Sequence, residues 1–184
     1  VVEMQVPHDL DGYGSFRIES VSHGLIPAGQ VLEPGDSRFG RSQECEIDVN
    51  CEEGSPWSQT RRSVVRIQTP TEYCTGVLLN NGSYDGTPYI LTAEHCINLD
   101  TIAKNSIFVF NYESPACFDG DGSVEMSIFG AELLATSDSV DFSLVRLSVL
   151  PPDSFDIYYA GWDRGPDQLS YTSTIHHPMG DVKK

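Results

Sequence analysis

The sequence predicts an all-β protein whose strands form either a closed antiparallel barrel or a sandwich. From Ser63 onward, six short segments rich in β-branched and aromatic residues follow at short intervals, and Gly, Asn, Asp or Pro bounds most of them. One connection, residues 80–88 (NNGSYDGTP), is dense in turn-forming residues. The sequence shows no amphipathic helix of useful length, and short strands separated by turns are typical of barrels and sandwiches.

The six predicted strands follow in chain order. They are residues 63–70 (SVVRIQTP), 73–80 (YCTGVLLN), 88–96 (PYILTAEHC), 106–113 (SIFVFNYE), 124–136 (VEMSIFGAELLAT) and 141–149 (DFSLVRLSV). The prolines of residues 151–154 (PPDS) break the pattern. Beyond them, residues 155–163 (FDIYYAGWD) and 169–178 (LSYTSTIHHP) predict two strands of a second unit. Residues 1–43 are punctuated by Gly and Pro, with one convincing strand at residues 15–23 (SFRIESVSH), and indicate a linker or wrapping arm.

Composition excludes two classes of partner. The 184 residues carry a formal net charge of −16 with a pI of about 4.4, and the acidic residues are scattered. Phosphate binding needs clustered Lys and Arg, so we expect no nucleic-acid partner. No apolar run approaches the roughly 18 residues of a membrane span, so we expect no membrane association. The acidity instead fits solubility in a secreted or saline setting.

The cysteine count indicates an oxidising compartment. Four of the five cysteines are enough for two disulfides, and the fifth implies a free thiol or a partner outside the chain. The five are Cys45, Cys51, Cys74, Cys96 and Cys117.

His95 is the main candidate for chemistry. It follows an apolar run and a turn in residues 89–96 (YILTAEHC), a setting that suits a general base. Cys74 and Cys96 lie in adjacent predicted strands, and a disulfide between them would restrict where the imidazole points. Such a bridge stabilises by about 3 kcal/mol in the loop-entropy account.

Asp141 is the candidate partner of that histidine. It begins an alternating apolar strand, and a carboxylate at the edge of a buried element is costly unless it accepts hydrogen bonds. Accepting the N–H of a histidine would satisfy the carboxylate and fix the imidazole tautomer.

Taken in order, these segments resemble a known family. CTGVLLNN…TPYILTAEHC followed by VDFSLVRL is similar to the first half of a trypsin-like serine endopeptidase. CEIDVNC, FNYESPAC, AGWDR and IHHPMGDVKK are similar to segments of the bacterial lysyl endopeptidase branch, in that branch's usual order. The resemblance covers about residues 45–184.

The resemblance implies a chymotrypsin-like fold of two six-stranded antiparallel barrels with the catalytic site between them. On that basis, residues 44–150 form the first barrel. Residues 151–184 form the interdomain link and the first hairpin of an incomplete second barrel. Residues 1–43 are the tail of a pro-region or a linker.

The resemblance also implies roles for individual residues. His95 matches the general base and Asp141 the orienting carboxylate of a secreted bacterial endopeptidase that cleaves polypeptides after lysine, with no metal or other cofactor. Val140 departs from relatives that often have a polar residue before the Asp. Asp138 is a rival acid, but Asp141 matches better because the F-S-L-V-R-L strand follows it directly.

The family's disulfide pattern adds a prediction about the odd cysteine. It pairs Cys51 with Cys117 and Cys74 with Cys96. Cys45 matches a cysteine whose partner lies near the end of the second barrel, which this sequence lacks.

A trypsin-like triad also needs a serine in a Gly-rich turn after the Asp, roughly G-x-S-G. Ser37 and Ser55 lie before His95 and lack that turn. The later serines lack it too: Ser143, Ser148, Ser154, Ser170 and Ser173. We therefore expect a missing C-terminal half to carry both the serine and the partner of Cys45, and this chain alone to be inactive.

Alternatives remain open at this level. The chain could be a self-cleaved product ending at Lys184, a truncation, or a degenerate homologue that acts as a binding module. A degenerate homologue would explain the missing serine but not the missing second barrel, and the sequence does not separate the first two. A further rival is a metal site built from four residues, although zinc ligands usually follow fixed spacings that these lack. The four are His95, Cys96, His176 and His177.

Overall fold

Seven antiparallel strands make up the fold. The computed structural model describes residues 38–163, 165 and 172–184, so the strand expected at residues 15–23 lies outside the described residues. The strands are β1 (Val64–Gln68), β2 (Tyr73–Leu79), β3 (Tyr89–Thr92), β4 (Ile107–Phe110), β5 (Ser127–Phe129), β6 (Ala131–Ser137) and β7 (Phe142–Leu147). One short helix, α1 (Asp100–Lys104), lies between β3 and β4. The 3₁₀ turns are Glu52–Trp57, Thr60–Ser63, Asp153–Phe155 and Pro178–Gly180.

The seven strands close into a six-stranded barrel. Their order is β5-β4-β1-β2-β3-β7-β6, and only Gly130 separates β5 from β6. The two outermost segments are therefore halves of one bent strand. Gly130 forms backbone hydrogen bonds with residues next to both neighbouring strands. Its N–H donates to the carbonyl of Ser106, directly before β4 (2.9 Å), and its carbonyl accepts from the N–H of Ser148, directly after β7 (3.0 Å). The predicted all-β antiparallel barrel is confirmed.

Gly130 permits the bend. Its φ is +81°, a conformation that glycine adopts without strain, and a Cβ there would lie 3.2 Å from the carbonyl oxygen of Lys104. The sequence predicts a single strand over residues 124–136. Gly130 lets the first part of that strand pair with β4 and the second part pair with β7.

The barrel interior is filled by alternate residues of each strand. In β2 the inward positions include Cys74 and Leu78, and β3 contributes Ile90. Gly76 also faces inward, because a Cβ there would lie 2.6 Å from Ile90 Cγ2 and 2.8 Å from Ile67 Cδ1. The interior is thus a packed core without space for a channel.

The last described residues cover the outer face of β1 and β4. His176 and Lys184 exchange backbone hydrogen bonds (3.1 and 2.9 Å), and Val182 packs fully buried against Val109 and Tyr112. This explains why β1 is buried on both faces, unlike the alternating β2.

The two strands predicted after Pro152 are not formed in the part of the chain that the structure describes. Residues 155–163 make one isolated bridge, between Ala160 and Leu79, and residues 172–177 contain no strand. Residues 164 and 166–171 lie outside the described part. β-forming composition creates only a preference, and a strand needs a ladder partner along its length. Here Ala160 pairs only with the end of β2.

Lys183 gives the fold a pH-dependent stability. Its side chain is fully buried, Nζ donates to the carbonyl of Arg61 (2.8 Å), and burial lowers its pKa from 10.5 to about 8. Between about pH 8 and 10.5 the unfolded chain binds a proton that the folded chain does not. Stability should therefore rise with pH across this window, by roughly 3 kcal/mol in full.

We expect the free energy of unfolding of the wild type, measured in urea, to rise from about pH 7 to 9.5. In Lys183→Met the free energy of unfolding should change little over the same range. Higher pH is avoided because burial, followed by the hydrogen bond to Asp121, raises the pKa of Tyr112, which opposes the trend above about pH 10. Lys104→Met is the control, since hydrogen bonding to Asp100 raises the pKa of exposed Lys104. Equal slopes for the wild type and Lys183→Met would contradict the prediction.

Candidate active site

His95 and Asp141 meet at one rim of the barrel because of how β3 and β7 pair. The two strands are antiparallel, with Thr92 opposite Ser143. His95 follows Thr92 by three residues, in the turn that ends β3, and Asp141 directly precedes β7. The ladder therefore brings the end of one strand beside the beginning of the other.

The imidazole and the carboxylate are hydrogen-bonded. Nδ1 of His95 lies 2.9 Å from Oδ2 and 3.1 Å from Oδ1 of Asp141. The backbone N–H of His95 also donates to Oδ1 (3.1 Å). That backbone hydrogen bond, with the imidazole adding to it, lowers the pKa of Asp141, so the carboxylate is ionised at neutral pH.

This contact fixes the chemistry of the other ring nitrogen. An ionised carboxylate accepts a hydrogen bond from Nδ1–H, which leaves Nε2 as the acceptor in the neutral imidazole. Both side chains are more than half exposed, at 63% and 52%. Across residues 38–163, 165 and 172–184, Nε2 has no hydrogen-bond partner. The imidazole can therefore take a proton from a group that approaches from solvent.

Two disulfides lie in the described fold. Cys74 in β2 is joined to Cys96, directly after His95, and Cys51 is joined to Cys117. These are the pairs implied by the resemblance. Cys45 is exposed and has a free thiol within the described part of the chain.

The rival residues do not join the pair. The hydrogen bonds of His95 go to Asp141 rather than Asp138. Ser143 Oγ donates to Ile97 O (2.6 Å), and Ser148 Oγ donates to Phe129 O (2.7 Å).

The other serines offer no hydroxyl to the imidazole either. Ser55 and Ser154 lie in 3₁₀ turns, Ser173 is exposed, and none of these three bonds to His95. Ser37 and Ser170 fall outside the described residues. The described site thus contains an imidazole and a carboxylate without a hydroxyl on Nε2.

The four residues of the metal hypothesis are spread over separate contacts. Cys96 is in a disulfide, so its sulfur is not available as a thiolate ligand. His176 Nε2 lies 3.4 Å from Glu46 Oε1. His177 is buried with Nδ1 3.0 Å from the carbonyl of Asp181, and burial lowers its pKa well below the ordinary value. The structure does not gather the four into one site.

No helix within the described ranges is both long and apolar enough to cross a membrane.

A closed antiparallel barrel with a histidine–aspartate pair at its rim is characteristic of a protease-related protein. The family model described as "Lysyl endopeptidase, C-terminal domain" matches residues 39–184, and the chain belongs to this serine endopeptidase family. The resemblance derived from the sequence motifs is thereby confirmed.

The proteins similar to the chain include the following curated relative and solved structure. The lysyl endopeptidase of Pseudomonas aeruginosa (strain PAO1) is 29% identical to the chain over an alignment of 198 positions. The alignment covers 100% of this chain and 42% of that protein. The solved structure, described as "Rv3671c protease, inactive form", is 18% identical with a TM-score of 0.35 and covers 61% of this chain and 43% of the other. This structural similarity is too low to bear on the fold or the activity.

Sequence reasoning missed one polar contact beside the site. It considered Ser143 only as a candidate nucleophile, whereas the structure places its hydroxyl on the turn that carries His95. The available signal was a polar residue at an inward position of a strand whose other inward positions, Val145 and Leu147, are apolar.

Proposed function

We propose that this chain supplies the general base and the orienting carboxylate of a secreted bacterial serine endopeptidase that cleaves after lysine. The observation that carries the proposal is the His95–Asp141 hydrogen bond at the barrel rim, with Nε2 free to accept a proton. Membership of the lysyl endopeptidase family supports the substrate class.

In the proposed reaction, Nε2 of His95 takes the proton of a serine hydroxyl as the oxygen attacks the scissile carbonyl. The protonated imidazole then gives that proton to the leaving amine. Asp141 holds the ring in position and stabilises the imidazolium by its negative charge. The serine and the donors that stabilise the oxyanion come from a segment beyond these residues, so the chain alone is inactive.

The proposed division of the chain follows from this role. Residues 44–150 are the first barrel, residues 151–184 lead into a second barrel, and residues 1–43 are a pro-region tail or linker. In the complete protein, the exposed thiol of Cys45 forms a disulfide with a cysteine of the second barrel. The chain spans less than half of its curated relative's length, which leaves room for such a part.

Self-cleavage after Lys184 remains a separate hypothesis. The Lys184 side chain is only 8% exposed and forms an ion pair with Asp48. A protease takes such a lysine into a specificity pocket, so the segment would have to detach from the barrel first.

The test is the parent reading frame and the activity of its product. We expect the frame to continue with a serine in a Gly-rich turn and one further cysteine, and the complete protein to hydrolyse a lysyl ester. The 184-residue chain, purified in parallel, should not. A frame that lacks the serine would instead support the degenerate binding homologue. Turnover by the chain alone would show that it contains a nucleophile.

A further inference from the structure

The turn that carries His95 is held at its far end by a buried hydroxyl. Ser143 is the second residue of β7 and is completely buried. Its Oγ donates to the carbonyl oxygen of Ile97 (2.6 Å), two residues beyond His95. Ser143 Oγ also lies 2.8 Å from Oγ1 of Thr136 in β6. One side chain of the strand after Asp141 thus bonds to the loop after His95.

This contact completes a set of anchors around the imidazole. The Ile97 N–H donates to Ala93 O (3.3 Å), which closes the turn on itself. The disulfide of Cys96 ties the turn to β2. The β3–β7 ladder ends at the pair Thr92–Ser143, before the turn begins. Beyond that pair, the contacts described between the turn and the segment of the carboxylate are those of Asp141 itself and that of Ser143. The serine is therefore a link between the two halves of the candidate pair that does not involve the pair itself.

We propose that Ser143 is a positioning residue: by holding the Ile97 carbonyl, it keeps the His95 turn in register with Asp141. The proposal rests on the function proposed above for His95 and Asp141. Removing the hydroxyl leaves a buried carbonyl without this donor, which costs free energy and loosens the turn. A loosened turn lengthens the hydrogen bonds from His95 to the carboxylate.

The first test uses the chain itself and does not depend on protease activity. In NMR titrations, Ser143→Ala should raise the pKa of the Asp141 carboxyl toward its ordinary range, because the His95 hydrogen bonds that lower it weaken. The Nδ1–H proton signal of His95 should shift upfield or broaden. Ser63→Ala is the matched control, since Ser63 is equally buried and its Oγ also donates to a backbone carbonyl, that of Thr60, at 2.6 Å.

A variant at the surface covers the case in which Ser143→Ala does not fold. Thr136 is exposed, and Thr136→Val removes the hydroxyl that holds Ser143 Oγ from the other side. It should move the Asp141 pKa in the same direction by less. An unchanged pKa of Asp141 in Ser143→Ala, or in Thr136→Val if the first variant is unfolded, would overturn the proposal.

The second test uses the complete protein. Misplacement of a catalytic group costs rate, so Ser143→Ala should lower kcat about 10- to 100-fold and leave KM for a lysyl ester nearly unchanged. Ser63→Ala should keep wild-type kinetics. If the complete protein has no activity, the proposed function fails, but the NMR result still decides the role of Ser143. Equal losses of kcat in both variants would reduce Ser143 to a general stabilising residue.

Discussion

His95→Ala in the complete protein should lower kcat by about 10⁶-fold, because no other described group can accept a proton at that position. Asp141→Asn should cost about 10⁴-fold, since an amide can hold the imidazole in the wrong tautomer. Initial rates on a lysyl ester, under single-turnover and steady-state conditions, measure both losses. The ordering of the two losses follows from the proposed mechanism, in which the histidine moves the proton and the aspartate orients the imidazole.

Asp138→Asn is the matched control for the aspartate. It removes the same charge from the same connection before β7, but Asp138 makes no hydrogen bond to His95. We expect its kcat to stay within about twofold of the wild type, because a charge at an exposed position acts only weakly. Equal losses for the two asparagine variants would show that net charge, and not orientation, explains the effect. Activity retained by His95→Ala would remove the general-base assignment.

Replacing Cys74 and Cys96 together by alanine should destabilise the chain by about 3 kcal/mol, from the loss of a cross-link that closes a loop of this length. The bond lies in the core between β2 and the His95 turn, so we expect the variant to lose activity in the complete protein as well. Urea unfolding followed by circular dichroism measures the stability loss.

Cys45→Ala is the control for that double variant. Its thiol is exposed and free in the described structure, so the stability of the chain should change by less than about 0.5 kcal/mol. If both variants unfold at the same urea concentration, the Cys74–Cys96 bond does not stabilise the barrel. If the double variant is destabilised but fully active when folded, the bond does not position His95.

Much of the barrel could be predicted from sequence because its strands are short, β-branched and bounded by turns. The predicted segments contain six of the seven strands and all of β6 except Ser137, and the break at the prolines after Leu150 was also apparent. The second unit was not predictable in the same way. Its composition favours strands, but a strand forms only where a partner ladder exists, and Ala160 reaches only the last residue of β2.

The candidate pair was predictable for a different reason. The residues around His95 and Asp141 form recognisable motifs, and antiparallel pairing of their strands suffices to bring them together. No comparable sequence motif identifies Ser143 or Lys183. A single hydroxyl in a mixed strand, or a lysine three residues after Gly180, looks like a surface residue until the chain's path is known. Their burial depends on which distant segments cover them.

The bent strand at Gly130 has a consequence for assembly. It lets one chain segment serve two neighbours, but β5 pairs only with β4, and β6 pairs only with β7. Apart from the Leu133 N–H, which donates to Asp100 Oδ1, the other edge of β6 therefore carries no strand ladder within the described residues. Strand addition, a common way for polypeptides to join a sheet, has a template there. A companion polypeptide thus has two surfaces for attachment: this edge of β6 and the rim that carries His95 and Asp141.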